Sequence, residues 1–236
     1  MILIRKAIDR GRANFGWLDA RYTFSFANYH HPDHMGFRAL RVINEDVIGP
    51  GGGFAPHSHR DMEIVTYVLA GALEHKDSTS GAFGGGGVIR PGDVQYMCAG
   101  TGVTHSEFNA SKTAPCHLMQ IWLLPDAANH RPRYEQKTFG EERRGRLRLV
   151  ASADGREGSL KINQSTDLFA SVLGEGEEIE HRFAPGRHGW LQLAKGGLEI
   201  GGLVMQAGDG AKISDEARLS AKALEPGTEF LLFDLA

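Results

Sequence analysis

The sequence predicts an all-β protein built from two barrels of similar size. Short runs rich in β-branched and aromatic residues recur along the chain, such as EIVTYVL at 63–69 and QIWLL at 120–124. The 31 glycines fall at short intervals between these runs. Apolar runs of this length separated by turn residues are typical of β-sandwiches and barrels. No long amphipathic helical pattern competes with this interpretation.

The composition excludes several classes of protein. A chain of 236 residues with 41% hydrophobic residues can bury an ordinary core. The formal net charge of −3 arises from scattered charges, which argues against a nucleic acid or an anionic membrane as partner. No stretch approaches the ~20 apolar residues of a membrane span. The N-terminal MILIRK reaches charge too early for a signal peptide, so we expect a cytoplasmic protein, with Cys98 and Cys116 as reduced thiols.

A polar, turn-rich stretch between Pro125 and about Arg146 marks the boundary between the two predicted domains. We therefore predict an N-terminal metal-binding barrel at 1–134 and a C-terminal barrel at 146–236. A weak internal repeat supports the division, since YVLAGALE at 67–74 resembles LQLAKGGLE at 191–199.

The repeat also predicts that the second barrel has no metal site. If Gly92-Asp93 corresponds to Gly208-Asp209, the counterparts of His105 and Glu107 are Ala221 and Ala223, which cannot bind a metal. The second barrel is then expected to be structural.

The first half contains a glycine-rich insertion, TSGAFGGGG at 79–87. A glycine run can hold phosphate when a helix follows it and presents backbone N–H groups. Here the next residues are a strand fragment and Pro91, so a flexible hairpin loop is the preferred interpretation.

Two triplets carry the main chemical prediction, His57-Ser58-His59 and His105-Ser106-Glu107. Side chains at i and i+2 of a strand point to the same face, so each triplet places two possible ligands side by side. Imidazole and carboxylate suit iron, manganese, nickel, copper or zinc. A lone His-x-His is often only a surface strand, and the interpretation depends on the two triplets facing each other.

The surroundings of these triplets resemble the cupin superfamily and, within it, the pirin family. The cupin likeness lies in the spacing from Gly51 to His57 and from Gly102 to His105. The pirin likeness lies in RYTFSFANY at 21–29, HSHRDME at 57–63 and AGTGVTHSE at 99–107. It covers almost the whole chain and is densest from about residue 5 to 134. Two departures from the general cupin pattern fit a pirin better. Ala70 stands where the first cupin motif places its closing glycine, which comes one residue later as Gly71, and Gly100 replaces the usual proline of the second motif.

The resemblance implies two cupin barrels and one divalent transition metal held by His57, His59, His105 and Glu107. Iron is the expected metal, with nickel, copper, manganese or zinc as alternatives. Glu63 shares strand parity with His57 and His59, and its counterpart binds metal in many other cupins. Because pirins use the position of Glu107 instead, we expect Glu63 beside the ligands, orienting an imidazole or moving a proton. A fifth-ligand role for Glu63 stays open.

The other histidines are predicted to be ordinary surface or core residues. His30, His31 and His34 form a loop cluster that is expected to be a solvated turn. The remainder lack a second ligand nearby in sequence: His75, His117, His130, His181 and His188.

The resemblance implies a quercetin 2,3-dioxygenase, which opens the flavonol ring and releases carbon monoxide. Glu107 and Glu63 are the catalytic candidates, because either carboxylate could accept the proton of the flavonol 3-hydroxyl. Flavonol and dioxygen are then the partners. The alternative is a non-enzymatic, redox-responsive regulator that binds a protein partner. A third possibility is a storage or structural cupin.

Overall fold

The computed structural model describes residues 1–81 and 85–236. The chain falls into two compact units. The N-terminal unit comprises Gly11–Gly140 and Ile162–Gln164, and the C-terminal unit comprises Met1–Arg10, Glu141–Lys161 and Ser165–Ala236.

Strands dominate both units, which confirms the all-β prediction. The strands in chain order are β1 (Ile2–Arg5), β2 (Gly11–Asn14), β3 (Leu18–Tyr22), β4 (Leu40–Ile48), β5 (Gly53–His59), β6 (Glu63–Ala70), β7 (Leu73–Asp77), β8 (Gly85–Ile89), β9 (Asp93–Cys98), β10 (Val103–Asn109), β11 (Cys116–Leu123), β12 (Arg133–Thr138), β13 (Arg148–Ser152), β14 (Leu160–Lys161), β15 (Thr166–Leu173), β16 (Glu178–Arg182), β17 (His188–Lys195), β18 (Gly197–Ile200), β19 (Leu203–Gln206), β20 (Gly210–Ile213), β21 (Arg218–Ala223) and β22 (Thr228–Leu235). The helices of the described residues are short 3-10 turns at Ala7–Asp9, Pro32–His34, Gly140–Arg143 and Arg156–Gly158. Within the described ranges, no helix has the length and apolar character needed to cross a membrane.

The N-terminal unit contains two antiparallel sheets. The larger has the order β12-β9-β6-β11-β4-β3-β2 and the smaller has the order β5-β10-β7-β8. The central strands β6 and β9 are buried along almost their whole length. The edge-proximal β3 instead alternates between buried and half-buried residues. This gradient is expected when the middle of a sheet is covered on both faces.

The C-terminal unit repeats this plan. Its sheets have the orders β1-β20-β17-β22-β15-β13-β14 and β16-β21-β18-β19. If β16 to β22 correspond to β5 to β11, and β15 to β4, each strand has the same neighbours in both units. A large apolar cluster lies in the C-terminal unit, with Leu198, Ile200, Ala221 and Ala223 among its buried members.

The structural division differs from the predicted one at the N terminus. The predicted first domain begins at residue 1, whereas β1 pairs with β20 from Ile2 opposite Ile213 to Arg5 opposite Gly210. The strand therefore belongs to the C-terminal unit. It covers the backbone groups of a sheet edge, and a four-residue strand carries no local signal that tells which sheet it will join.

The glycine-rich segment is partly a strand rather than a loop. Gly85 to Gly87 open β8 and pair with Asp77 to His75 of β7. Residues 82–84 of the predicted flexible loop lie outside the described residues.

Candidate metal centre

Strands β5 and β10 bring three histidines together. The ladder places His105 opposite His57, and the alternation of β5 puts His59 on the same face as His57. Nε2 of His105 lies 2.9 Å from Nε2 of His57. One ring nitrogen of each of His57, His59 and His105 falls within 4.8 Å of those of the other two. The structure thus assembles the histidine part of the predicted site.

These imidazoles have lone pairs available for a metal. Nδ1–H of His57 donates to the Ala55 carbonyl at 2.8 Å, which orients the ring with Nε2 directed at the cluster. Burial and the neighbouring His57 lower the pKa of His59 to about 4. Burial likewise lowers the pKa of His105 to about 3. Metal binding requires neutral imidazole, so His59 and His105 are ready to bind at neutral pH.

Glu107 lies one step further along β10 and is almost fully buried. Both carboxylate oxygens accept hydrogen bonds from Nε2–H of Gln120, at 2.9 and 3.1 Å. Burial would raise its pKa, but contacts with His75, His105 and Gln120 lower it to about 2. Its carboxylate oxygen groups with His105 and His75 rather than with all three cluster histidines. The four predicted side chains are therefore divided between two groups that share His105. One contains His57 and His59, and the other contains Glu107 together with His75.

His75 is a core histidine, one of the two predicted alternatives, but it is not isolated from other possible ligands. It lies on β7 opposite Glu107, is buried, and places Nδ1 3.8 Å from the Glu107 carboxylate. Its Nε2–H donates to Asp77 at 2.9 Å. Burial would lower the pKa of His75, but Asp77 and Glu107 together raise it to about 9. The available signal was His75-Lys76-Asp77, another i, i+2 pair on a strand.

The expected role of Glu63 is not supported by its contacts. Its carboxylate accepts hydrogen bonds from the Tyr96 hydroxyl and from the backbone N–H of Asn163, the latter at 2.8 Å. Among the described residues, it has no hydrogen bond with an imidazole. Strand parity does not carry over from His59 to Glu63, because β5 ends at His59 and the left-handed Asp61 (φ 48°) turns the chain into a different sheet.

Across the described residues, the other histidines join no group of three possible ligands. Three of them pair with one carboxylate each: His117 with Glu45, His130 with Asp126 and His181 with Asp234. Cys98 and Cys116 are buried and unbridged. Burial raises the pKa of Cys98 to about 12 and that of Cys116 to about 11, which makes both thiols poor nucleophiles.

Two glycines of the N-terminal unit are required by close approach. A Cβ on Gly53 would lie 2.4 Å from the Glu107 carbonyl oxygen, so a side chain there would push β5 away from β10. Gly100 has φ +43°, and a Cβ at this position would lie 1.9 Å from the His130 carbonyl oxygen. Proline, which holds φ near −65°, cannot occupy this position.

A cavity of about 580 Å³ adjoins the cluster. His57, His59 and Glu107 lie on its wall. Most of the remaining wall is apolar or aromatic and includes Phe15, Trp17, Leu18, Tyr22, Phe26, Phe54 and Trp122. Pockets of roughly 300–1,000 Å³ with few polar groups are typical of small-molecule sites.

The residues present fit a first-row divalent ion. Two nitrogens bound at about 2.1 Å and at a right angle lie about 3.0 Å apart, close to the 2.9 Å between the Nε2 atoms of His57 and His105. Nδ1 of His105 is buried and has no hydrogen-bond partner in the described part of the chain. The donors are imidazoles and a carboxylate without cysteine, which suits an open site rather than a closed structural zinc site.

Comparison with known proteins identifies the family. The model of the family described as Pirin matches residues 5–123. The chain belongs to the pirin family. Residues 149–235 match a second model, described as the quercetinase C-terminal cupin domain. Two cupin domains, as the sequence predicted, therefore make up this pirin.

The pirin is similar over its whole length to characterised bacterial proteins. It is 48% identical over 235 residues to the quercetin 2,3-dioxygenase of Escherichia coli, covering 100% of this chain and 99% of the relative. The crystal structure of the bacterial pirin YhhW from E. coli in complex with nickel(II) matches with a TM-score of 0.93 and 48% identity, over 100% of this chain and 99% of that one. YhaK, also from E. coli, matches with a TM-score of 0.75 and 34% identity, over 95% and 97% of the two chains.

Proposed function

We propose that this pirin is a metal-dependent dioxygenase that cleaves the ring of a flavonol such as quercetin and releases carbon monoxide. The observation that carries the proposal is the position of His57, His59 and Glu107 on the wall of an aromatic cavity. This cavity has room for a planar, multi-ring aromatic. The names of the E. coli relative and of the nickel complex support a flavonol substrate and a metal centre.

His57, His59, His105 and Glu107 would hold the metal. When bound, the ion supplies Lewis acidity toward the substrate oxygen and, for iron, nickel, copper or manganese, redox chemistry toward dioxygen. Iron is the metal that we propose. The nickel complex of the relative supports a first-row divalent ion at this site.

The protein's own part is to position the substrate and accept its proton. Of the two carboxylates predicted to take the 3-hydroxyl proton, Glu107 lines the cavity, whereas Glu63 bonds to Tyr96 and Asn163. Gln120 fixes the Glu107 carboxylate through its two hydrogen bonds. The aromatic side chains Phe26, Phe54 and Trp122 would stack on the rings and exclude water.

The test is oxygen consumption by the metal-loaded protein with quercetin. We expect oxygen uptake, loss of flavonol absorbance and carbon monoxide in the headspace, in equal amounts. All three should disappear after chelation and in Glu107→Ala. His117→Gln is the matched control, because His117 pairs with Glu45 outside the cluster. Oxygen uptake that persists in Glu107→Ala and after chelation would show uncatalysed oxidation, and the regulator hypothesis would then be preferred.

A further inference from the structure

Three polar atoms on the cavity wall have no partner within the protein. They are Oδ1 of Asn44, Oδ1 of Asp46 and Nε1 of Trp122, each buried and without a hydrogen bond among the described residues. All three side chains line the cavity beside the metal centre. Asn44 and Asp46 are each only 4% exposed. Buried polar groups are nearly always hydrogen-bonded, so three unpaired atoms in one cavity indicate that a ligand completes them.

Strand geometry explains why these atoms lie together. Asn44 and Asp46 are at i and i+2 of β4, and Gln120 and Trp122 are at i and i+2 of β11. The two strands pair directly, with Asn44 opposite Gln120. Since Gln120 also holds Glu107, the polar patch adjoins the carboxylate of the metal centre.

The rest of the cavity contrasts with this wall. Apart from the metal-centre side chains, Leu18 and Tyr22, the other large side chains there are aromatic: Phe15, Trp17, Phe26 and Phe54. Trp17 and Phe54 pack edge to face, with ring centroids 5.2 Å apart. A ligand would therefore be held by ring contacts on most sides and by hydrogen bonds on one.

We propose that Asn44 and Asp46 form a hydroxyl-recognition subsite that selects aromatic ligands with hydroxyl groups beyond the one at the metal. The proposal rests on the proposed function and names the substrate class more narrowly. The unpaired atoms of Asn44 and Asp46 are oxygens that can accept, so O–H donors of a ligand would complete them. Trp122 presents a donor, and a phenolic hydroxyl can both donate and accept. An aromatic without these hydroxyls would leave the wall unpaired, which strongly disfavours its binding.

The test compares two flavonols that differ in hydroxylation. Quercetin carries hydroxyls on all parts of the molecule, whereas 3-hydroxyflavone carries the 3-hydroxyl alone. Dissociation constants are measured on the nickel-loaded protein under nitrogen, so that no turnover occurs, from the quenching of tryptophan fluorescence. The quantity of interest is the ratio of the two constants in each variant.

We expect the native protein to prefer quercetin, and Asn44→Leu and Asp46→Leu each to reduce the preference by about 10-fold. Most of the change should come from weaker quercetin binding. Asp46→Asn, which keeps an acceptor oxygen, should retain most of the preference. Glu45→Gln is the matched control, because Glu45 lies between the two residues on β4 and pairs with His117. Thermal unfolding checks that each variant is folded, and Asn44→Leu carries the test if Asp46→Leu does not fold.

The outcomes separate this inference from the proposed function. An unchanged ratio in the leucine variants, or no preference in the native protein, overturns the subsite whether or not quercetin is consumed. Suppose that both leucine variants lose the preference for quercetin and that the native protein shows no oxygen uptake. This result supports the subsite and overturns the dioxygenase. Loss of turnover in Asp46→Asn together with an unchanged binding ratio in Asp46→Leu also overturns the subsite, since Asp46 would then act on the reaction rather than on binding. Failure of both flavonols to bind overturns both proposals.

Discussion

The two units have the same strand order, but one pair of corresponding strands carries ionisable side chains in the N-terminal unit and aliphatic side chains in the C-terminal unit. In the N-terminal unit, β10 places His105 opposite Asp77 and Glu107 opposite His75. In the C-terminal unit, β21 places Ala221 opposite Ile200 and Ala223 opposite Leu198. Four ionisable side chains in one ladder therefore correspond to four aliphatic side chains in the other.

This difference separates the fold from the site. The alanines, Leu198 and Ile200 belong to one continuous apolar cluster in the C-terminal unit. In the N-terminal unit, apolar clusters lie around Leu73 and Val68 and around Ile64 and Met97. The same strand order thus surrounds an apolar interior in one unit and possible metal ligands in the other, so we expect that metal is not needed for folding.

The largest expected effect is on metal content. Native protein should carry about one first-row divalent ion per chain, and His105→Ala should carry none, because the residue shared by both ligand groups is lost. The β-type circular dichroism spectrum should be unchanged. His181→Ala, in the C-terminal unit, serves as the control and should keep the metal. Two ions per chain in the native protein, or a loss of fold in His105→Ala, would contradict the contrast between the units.

The second prediction concerns a charged side chain placed in the apolar interior of the C-terminal unit. Ala223→Glu places a carboxylate at the counterpart of Glu107, but among Leu198 and other aliphatic side chains. We expect a loss of about 3 kcal/mol or more in the free energy of unfolding, because the buried charge has no partner. Urea denaturation measures it. Lys222→Gln, at the exposed neighbouring position, is the control and should change stability little. A stable Ala223→Glu protein would mean that this interior tolerates charge.

The third prediction sharpens the role of His75. His75→Gln removes the imidazole between Asp77 and Glu107 and keeps a polar side chain of similar size. We expect metal affinity to fall by about 10–100-fold, the range for residues that support a ligand. Competition with a fluorescent chelator gives the affinity, and His117→Gln is the control. Complete loss of metal would instead make His75 a ligand, which its grouping with His105 and Glu107 also allows.

The smallest expected effect on the site belongs to Glu63→Gln. The carboxylate accepts hydrogen bonds from Tyr96 and Asn163, so its replacement should lower the free energy of unfolding by about 1–3 kcal/mol. Metal content and oxygen uptake should stay near native values. An oxygen-uptake defect as complete as that of Glu107→Ala would restore Glu63 as a catalytic candidate.

Sequence reasoning succeeded where the chemistry lies within one strand. The pairs His57 with His59 and His105 with Glu107 follow from the two-residue period of a strand. It failed where the answer depends on which strands pair. His75 reaches Glu107 only through the β7–β10 ladder, and Glu63 turns away because the chain changes sheet after His59. The unpaired atoms of Asn44 and Asp46 likewise become visible only when the cavity is closed in three dimensions.

One irregularity in β5 links the aromatic wall of the cavity to the histidine cluster. His105 is opposite His57, and Glu107 is opposite Phe54. The ladder therefore advances by two positions along β10 but by three along β5. The extra residue falls at Ala55-Pro56, where proline has no N–H to offer the ladder. This shift reverses the phase of the strand, so that Phe54 and His57, an odd number of residues apart, both line the cavity. A deletion of one residue there would turn either the aromatic wall or the histidines outward. The length of this segment therefore constrains ring stacking and metal binding together, and neither can change without the other.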